Sequence, residues 1–188
     1  MITTLRAPAR ERILTTARTL FYARGIHATG VDLIVTEAGI AKASLYHHFP
    51  SKEQLVAAYL ADLRQQFEAA LDREVDERGV DVAIPFDLLE QALANGEFFG
   101  CPFTNALTEM PTSALIIEEV RSYRMRVLDF FRLATGDDAL LAQDLLLVYD
   151  GVFISCRLDP DRSTVGGARE LARRIVRITG GMPADVGA

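Results

Sequence analysis

Lys42, Ala43, Ser44, Tyr46, His47 and His48 crowd seven consecutive positions, and their types suit contact with nucleic acid better than bond-making chemistry. A lysine ammonium neutralises a phosphate, hydroxyls and imidazoles reach base edges, and an alanine permits close approach. Lys42 and Lys52 are assigned to phosphates, Tyr46 and His48 to phosphate or sugar, and Ala43, Ser44 and His47 to base edges. His47 and His48 do not suggest a shared metal ion, because neighbours on a helix point about 100° apart. No GxSxG, HExxH, phosphate-binding or dinucleotide-binding pattern occurs. Cys101 and Cys156 lie far apart, fit no zinc or CxxC spacing, and are read as reduced, buried thiols. No catalytic residue, metal or cofactor is expected.

These side chains need an element to present them. In residues 31–50, Ile34 and Ala38 share one helical face at i, i+4 spacing, and Gly39 follows as a residue able to end a helix in the left-handed conformation. Leu45 and Phe49 repeat the spacing, and Pro50 forbids simple continuation. Ile40 completes an apolar wedge between two steeply crossed helices. The outer face of the second, Lys42 to Phe49, is then free to enter a major groove.

The run from Glu37 to Leu55 resembles the signature of the TetR family of transcriptional regulators: Ala38-Gly39-Ile40, Lys42-Ala43-Ser44-Leu45-Tyr46-His47-His48-Phe49 and Ser51-Lys52-Glu53-Gln54-Leu55. The similarity extends back through Ile13, Ala17, Leu20, Phe21, Gly25 and Thr29. It implies a homodimeric regulator, usually a repressor, with Thr29 and the Tyr46 hydroxyl reaching phosphates. Ala41 departs from the family pattern, where Ser often opens the recognition helix, and losing a Ser cap costs about 1 kcal/mol. Some members show a similar Gly-Cys followed by Asn, here Gly100-Cys101 and Asn105. Where such a cysteine is reactive it senses oxidants or electrophiles, but nothing cationic lies near Cys101 in sequence to lower its pKa.

Charge divides the chain in the same place. The net charge of the 188 residues is −6, an odd balance for a DNA-binding protein taken as a whole. Residues 1 to 52 hold seven Lys and Arg against three Asp and Glu, an excess of four positive charges, so the rest carries a net ten negative charges. A basic end concentrates the field that attracts phosphate. The hydrophobic share of 49% suffices for a core. Asp144 and Asp150 interrupt the most apolar run, Leu140 to Leu158, and no signal peptide opens the chain, so a cytoplasmic protein without membrane association is expected.

The remaining elements follow from breakers and periodicity. Pro8 suits a first helical position, and Ile13, Ala17, Leu20 and Phe21 share a face up to Gly25. Ser51 caps a long helix carrying Leu55, Tyr59, Leu63, Phe67 and Leu71, running to Arg78 before Gly79. Pro85 starts a helix that stops at Asn95-Gly96. Residues 98–106 read either as a tight connection or as the wall of a pocket in which aromatic side chains give apolar contact and Thr104 and Asn105 orient a polar group. Thr112 or Ser113 caps a helix over 114–133, and Gly136-Asp137-Asp138 ends it and caps the next. Leu140, Leu141, Leu145, Leu146, Leu147, Val148, Val152, Phe153 and Ile154 cover more than one stripe, so 139–158 needs cover on two sides. Either a second subunit supplies it, which makes this helix and the last one, Val165 to Ile178, the dimer interface, or the helix is central and buried within one subunit. Asp159-Pro160-Asp161 makes the turn, and a short tail follows Gly180.

The expected fold is all-α, about nine helices: a DNA-binding domain over 8–68, then a ligand-binding and dimerisation domain over 69–188. The expected function is repression relieved when a small, partly apolar ligand releases a palindromic DNA operator. Phe98, Phe99, Cys101, Phe103, Asn105, Met110, Tyr123 and Phe153 are the ligand-site candidates. Two other readings stand beside it: a dimeric ligand-binding protein without DNA affinity, and a small thiol enzyme using Cys101.

Overall fold

The computed structural model describes residues 7–94, 98–159 and 163–180. Among them the chain forms nine α-helices and no strand: α1 (Ala9–Arg24), α2 (Val31–Ala38), α3 (Lys42–His48), α4 (Lys52–Arg78), α5 (Ile84–Ala94), α6 (Pro102–Glu109), α7 (Ala114–Ala134), α8 (Ala139–Leu158) and α9 (Ser163–Gly180). They build two compact units. One combines the chain up to Gln65 with Cys101–Ser122, and the other combines Gln66–Gly100 with the chain from Tyr123 onward.

In the first unit, Ile13, Ala17, Leu20 and Phe21 of α1 are buried with Ile34 and Ala38 of α2, Leu45 of α3, and Leu55, Val56, Tyr59 and Leu60 of α4. This is the apolar wedge the spacing predicts. Gly25 ends α1 at φ 89°, a conformation open to glycine and costly for other residues. Ser51 accepts the Gln54 amide at 3.1 Å and so caps α4. Ser113 caps α7 in the same way through the Ile116 amide at 3.3 Å.

The second unit is aromatic at its centre. Phe86 of α5, Phe130 and Phe131 of α7 and Tyr149 of α8 are buried. Asp138 caps α8 by accepting the amides of Leu140 and Leu141. Ion pairs tie the outer turns together: Arg78 bonds Asp87 at 2.6 Å, and Arg169 bonds Asp87 at 2.7 Å and Glu90 at 2.9 Å. Arg173 of α9 reaches Asp81 at 3.0 Å.

Some expectations need correction. Pro8 precedes α1 as its flanking residue and does not begin it. Pro102, read within a connection, opens α6, where its fixed φ and missing N–H suit the first helical position. By length and composition α8 is apolar enough to cross a membrane despite Asp144 and Asp150. Its Leu141, Ala142, Leu145, Leu146, Tyr149, Val152 and Cys156 are nevertheless buried in the protein, as in the core helix of a globular unit. The Asn95-Gly96 stop, Pro160-Asp161 of the next turn and the tail beyond Gly180 lie outside the described residues.

Candidate nucleic-acid interface

The reading head is built by local rules. Gly39 adopts φ 59° and ψ 48°, and the amides of Gly39 and Ile40 return to the carbonyls of Thr36 and Val35. That Schellman arrangement closes α2 and redirects the chain within three residues. Arg12 completes the corner from α1: its Nε and Nη2 donate to the Ala38 carbonyl at 3.1 and 2.6 Å, and Nη2 also donates to the Gly39 carbonyl. The last carbonyls of α2, which have no partner inside the helix, are thereby satisfied. Ala41 begins α3 in extended conformation with no side-chain cap.

On α3, Leu45 is fully buried, which fixes the rotation of the helix. Lys42, Ala43, Tyr46 and His47 are left exposed, with Ser44 and His48 half-buried beside them. The lysine is not idle: its Nζ lies 2.7 Å from Asp32 Oδ1 of α2. That hydrogen bond, then the Asp32 charge, holds the ammonium above the usual lysine range. Burial lowers the Lys52 pKa, with Glu109 opposing the shift. The rings of His47 and His48 meet edge to face with centroids 5.2 Å apart.

Thr29 corrects an expectation. Its side chain is wholly buried, and its hydroxyl donates to the Gly25 carbonyl at 2.7 Å and the Leu20 carbonyl at 3.3 Å. A hydroxyl held inside the α1–α2 connection is turned away from any phosphate. Three arginines of α1 also have partners within the protein. Besides Arg12, Arg10 lies over the Phe49 ring at 5.3 Å and Arg18 lies 3.7 Å from Asp62. Spacing along one helix carries no sign of these partners.

The ligand-site candidates divide between the units. In the second, Phe98 stacks on Phe153 with centroids 6.2 Å apart, Phe153 meets Tyr149 at 5.1 Å, and the Tyr149 and Tyr123 hydroxyls are 3.2 Å apart. Phe67 closes on Tyr123 at 5.2 Å, and Arg157 lies over the Phe99 ring at 5.6 Å. Tyr149 was missed in the sequence, although Leu145, Tyr149 and Phe153 keep i, i+4 spacing. Cys101, Phe103, Asn105 and Met110 belong to the first unit. There Cys101 and Phe103 are buried, and Asn105 joins Phe21, Tyr22, Tyr59 and Glu109 around a small cleft with room for little more than a water. Burial raises the Tyr59 pKa strongly, so its hydroxyl stays protonated. A buried Cys101 thiol lacks the access a nucleophile needs.

A helix-turn-helix whose second helix buries one apolar anchor and exposes a polar, cationic face defines a class of DNA-reading proteins. The comparisons narrow the class. Residues 13–59 match the family model for bacterial regulatory proteins of the tetR family. The transcriptional repressor KstR2 of Mycolicibacterium smegmatis is 50% identical over 56 residues, 30% of this chain and 27% of that protein. The chain thus spans little more than a quarter of that relative's length. The crystal structure of SCO4454, a TetR-family transcriptional regulator from Streptomyces coelicolor, matches with a TM-score of 0.79 at 26% identity, over 90% of this chain and 95% of that one. The fold of the multidrug binding protein EbrR, solved with malachite green, matches with a TM-score of 0.73 at 20% identity, over 88% and 96% of the two chains. Residues 13–59 are thus similar to the tetR family of bacterial regulatory proteins, and the fold is similar to that of a TetR-family transcriptional regulator.

Proposed function

We propose that the chain is a DNA-binding transcriptional regulator, a cytoplasmic homodimeric repressor released from a palindromic operator by a small, partly apolar effector. The observation that carries it is the exposed face of α3, where Lys42, Ala43, Tyr46 and His47 stand outward around the buried anchor Leu45. Each subunit places α3 in a major groove, with Lys42 and Lys52 on phosphates, Tyr46 and His48 on phosphate or sugar, and Ala43, Ser44 and His47 at base edges. Two-fold symmetry makes the operator an inverted repeat. Repression follows the relative KstR2, which is named a repressor.

The aromatic chain of Phe98, Phe153 and Tyr123, with Tyr149, supports an effector that offers a flat apolar face and a group able to bond a hydroxyl. EbrR, a protein of the same fold, holds malachite green, an aromatic dye. DNA reading is assigned to residues 8–68 and effector binding and dimerisation to 69–188. No catalytic role is assigned to any residue.

Selection of bound duplexes from a random pool, followed by fluorescence anisotropy across a salt series, tests the reading. A palindromic winner is expected, with affinity falling steeply with salt and a slope smaller by about 1 in Lys42→Ala. No enriched sequence, or binding indifferent to Lys42→Ala and Tyr46→Phe, overturns it.

A further inference from the structure

The connection between α1 and α2 is held by a residue far away in sequence. Glu109, the last residue of α6, accepts the Ile26 amide on Oε1 at 2.9 Å and the His27 amide on Oε2 at 2.6 Å. His27 returns the contact, its Nε2 donating to the Glu109 main-chain carbonyl at 2.5 Å. The three bonds form a reciprocal clasp within the first unit. Two amides that belong to no helix gain a carboxylate, and a carbonyl left over at a helix end gains a ring N–H.

The helix itself does not explain the glutamate. A negative charge at a C-terminus opposes the helix dipole, so Glu109 stands where α6 alone would favour a lysine. The neighbouring backbone is shaped to receive it. Gly25 sits at φ 89°, and a Cβ there would lie 3.2 Å from Glu109 Oε1. Within the same unit α4 is tied as well: Ser113 donates to the Glu53 carboxylate of α4, and Arg64 of α4 bonds Glu119 of α7 at 3.1 Å. The glutamate also ends a helix that starts three residues after Phe99.

Resting on the regulator reading above, we propose that Glu109 is a positioning residue for operator recognition, which through the amides of Ile26 and His27 fixes the α1–α3 head on α6 so that α3 meets its half-site without a search. Two heads must reach two half-sites at a set spacing. A head already held in place loses less conformational freedom on docking than a loose one. Non-specific contact with phosphate makes no such demand.

The sign of the effect separates this role from plain electrostatics. Removing a carboxylate from a DNA-binding unit should tighten DNA binding through the lost repulsion. Opening the clasp should loosen it, and only on the specific site. Glu109→Gln keeps the shape but turns an amide N–H against one of the two backbone donors.

The test compares wild type, Glu109→Gln, His27→Ala and the double variant on the duplex selected by wild type and on an unrelated duplex, with amide hydrogen exchange at Ile26 and His27 in the free proteins. Expected are faster exchange at both amides in Glu109→Gln, selected-duplex affinity about tenfold weaker, unrelated-duplex affinity unchanged or slightly tighter, and a double variant weaker than wild type by less than the product of the singles. Because His27 is exposed, His27→Ala supplies a folded variant if Glu109→Gln melts early. Faster exchange with unchanged or tighter selected-duplex affinity overturns the positioning role and leaves the regulator standing. Equal weakening on both duplexes overturns it as well. If wild type enriches no duplex, the regulator reading fails and this role fails with it.

Discussion

At the residue scale, the polar contacts that decide how the head presents itself join residues far apart in sequence, and this limits what the sequence discloses. Lys42 was legible as an exposed cation of α3, the basis of its proposed phosphate contact, because its position and its charge are local facts. Its partner Asp32 was not, since the pair forms only once Gly39 has turned the chain. On the proposed phosphate contact DNA competes with that carboxylate for the ammonium, and because both side chains are well exposed the competition is sensitive to salt. Asp32→Asn is therefore expected to tighten binding to any duplex several-fold at low salt, a gain that shrinks as salt rises; equal affinity for the two proteins at low salt would refute it. Arg12 shows the same limit. In the sequence it is only one of the charges of the basic end, whereas in the fold it bonds two carbonyls at the end of α2. Arg12→Ala should cost about 2 kcal/mol in urea unfolding, the scale of hydrogen bonds from a charged donor. Thr29, placed on a phosphate by resemblance, turned inward for a reason no spacing reveals: its hydroxyl completes the α1–α2 connection.

At the scale of elements, much more was legible, because periodicity and caps act over a few residues. The two short helices of the head, the Ser51 cap, the end of α4 before Gly79 and the Asp138 cap all follow from local chemistry. The start of α6 did not, because Pro102 breaks a helix in its interior and opens one at its first position, and only the neighbours decide which. The uncapped start of α3 gives a direct test. Ala41 already holds the extended conformation of a cap residue, so Ala41→Ser asks nothing new of the backbone. It should stabilise the head by about 1 kcal/mol, read as a higher denaturation midpoint.

The ion pair between Asp81, just ahead of α5, and Arg173 of α9 adds a dependence on pH. Burial pushes the Asp81 carboxyl up, but the Ala83 amide and the Arg173 guanidinium outweigh burial and hold it below the ordinary carboxylate range. A carboxyl depressed in the folded state contributes stability above its unfolded pKa and loses it as pH falls through the folded value. Wild type should thus exceed Asp81→Asn in urea midpoint by a constant margin at neutral pH. The margin should shrink once pH drops below about 4. A margin unchanged down to acid pH would remove Asp81 from the account.

At the scale of the whole molecule, the question is what covers α8. Leu140, Leu147, Ile154 and Leu158 are 82%, 60%, 61% and 81% exposed in the single subunit, while the opposite side of the same helix is buried. The spacing of seven, seven and four residues keeps them on one stripe, and Gly151 lies between them with nothing within 4 Å of where its Cβ would be. Leu171 and Ile178 of α9 are exposed too, seven residues apart. In the homodimer proposed above, a second copy presenting the same stripes would supply the cover that the composition of 139–158 calls for, and a two-fold interface would place two α3 helices on one inverted repeat. Because these side chains already face solvent, Leu147→Glu with Ile154→Glu should leave the helical circular dichroism of the subunit unchanged while sedimentation changes from a dimer to a monomer. The double variant should then bind the full selected duplex no better than a single half-site, since joining two heads is what converts two weak contacts into one strong one. A wild-type protein that sediments as a monomer and selects an unrepeated site would place the cover elsewhere and undo the two-fold account of operator recognition.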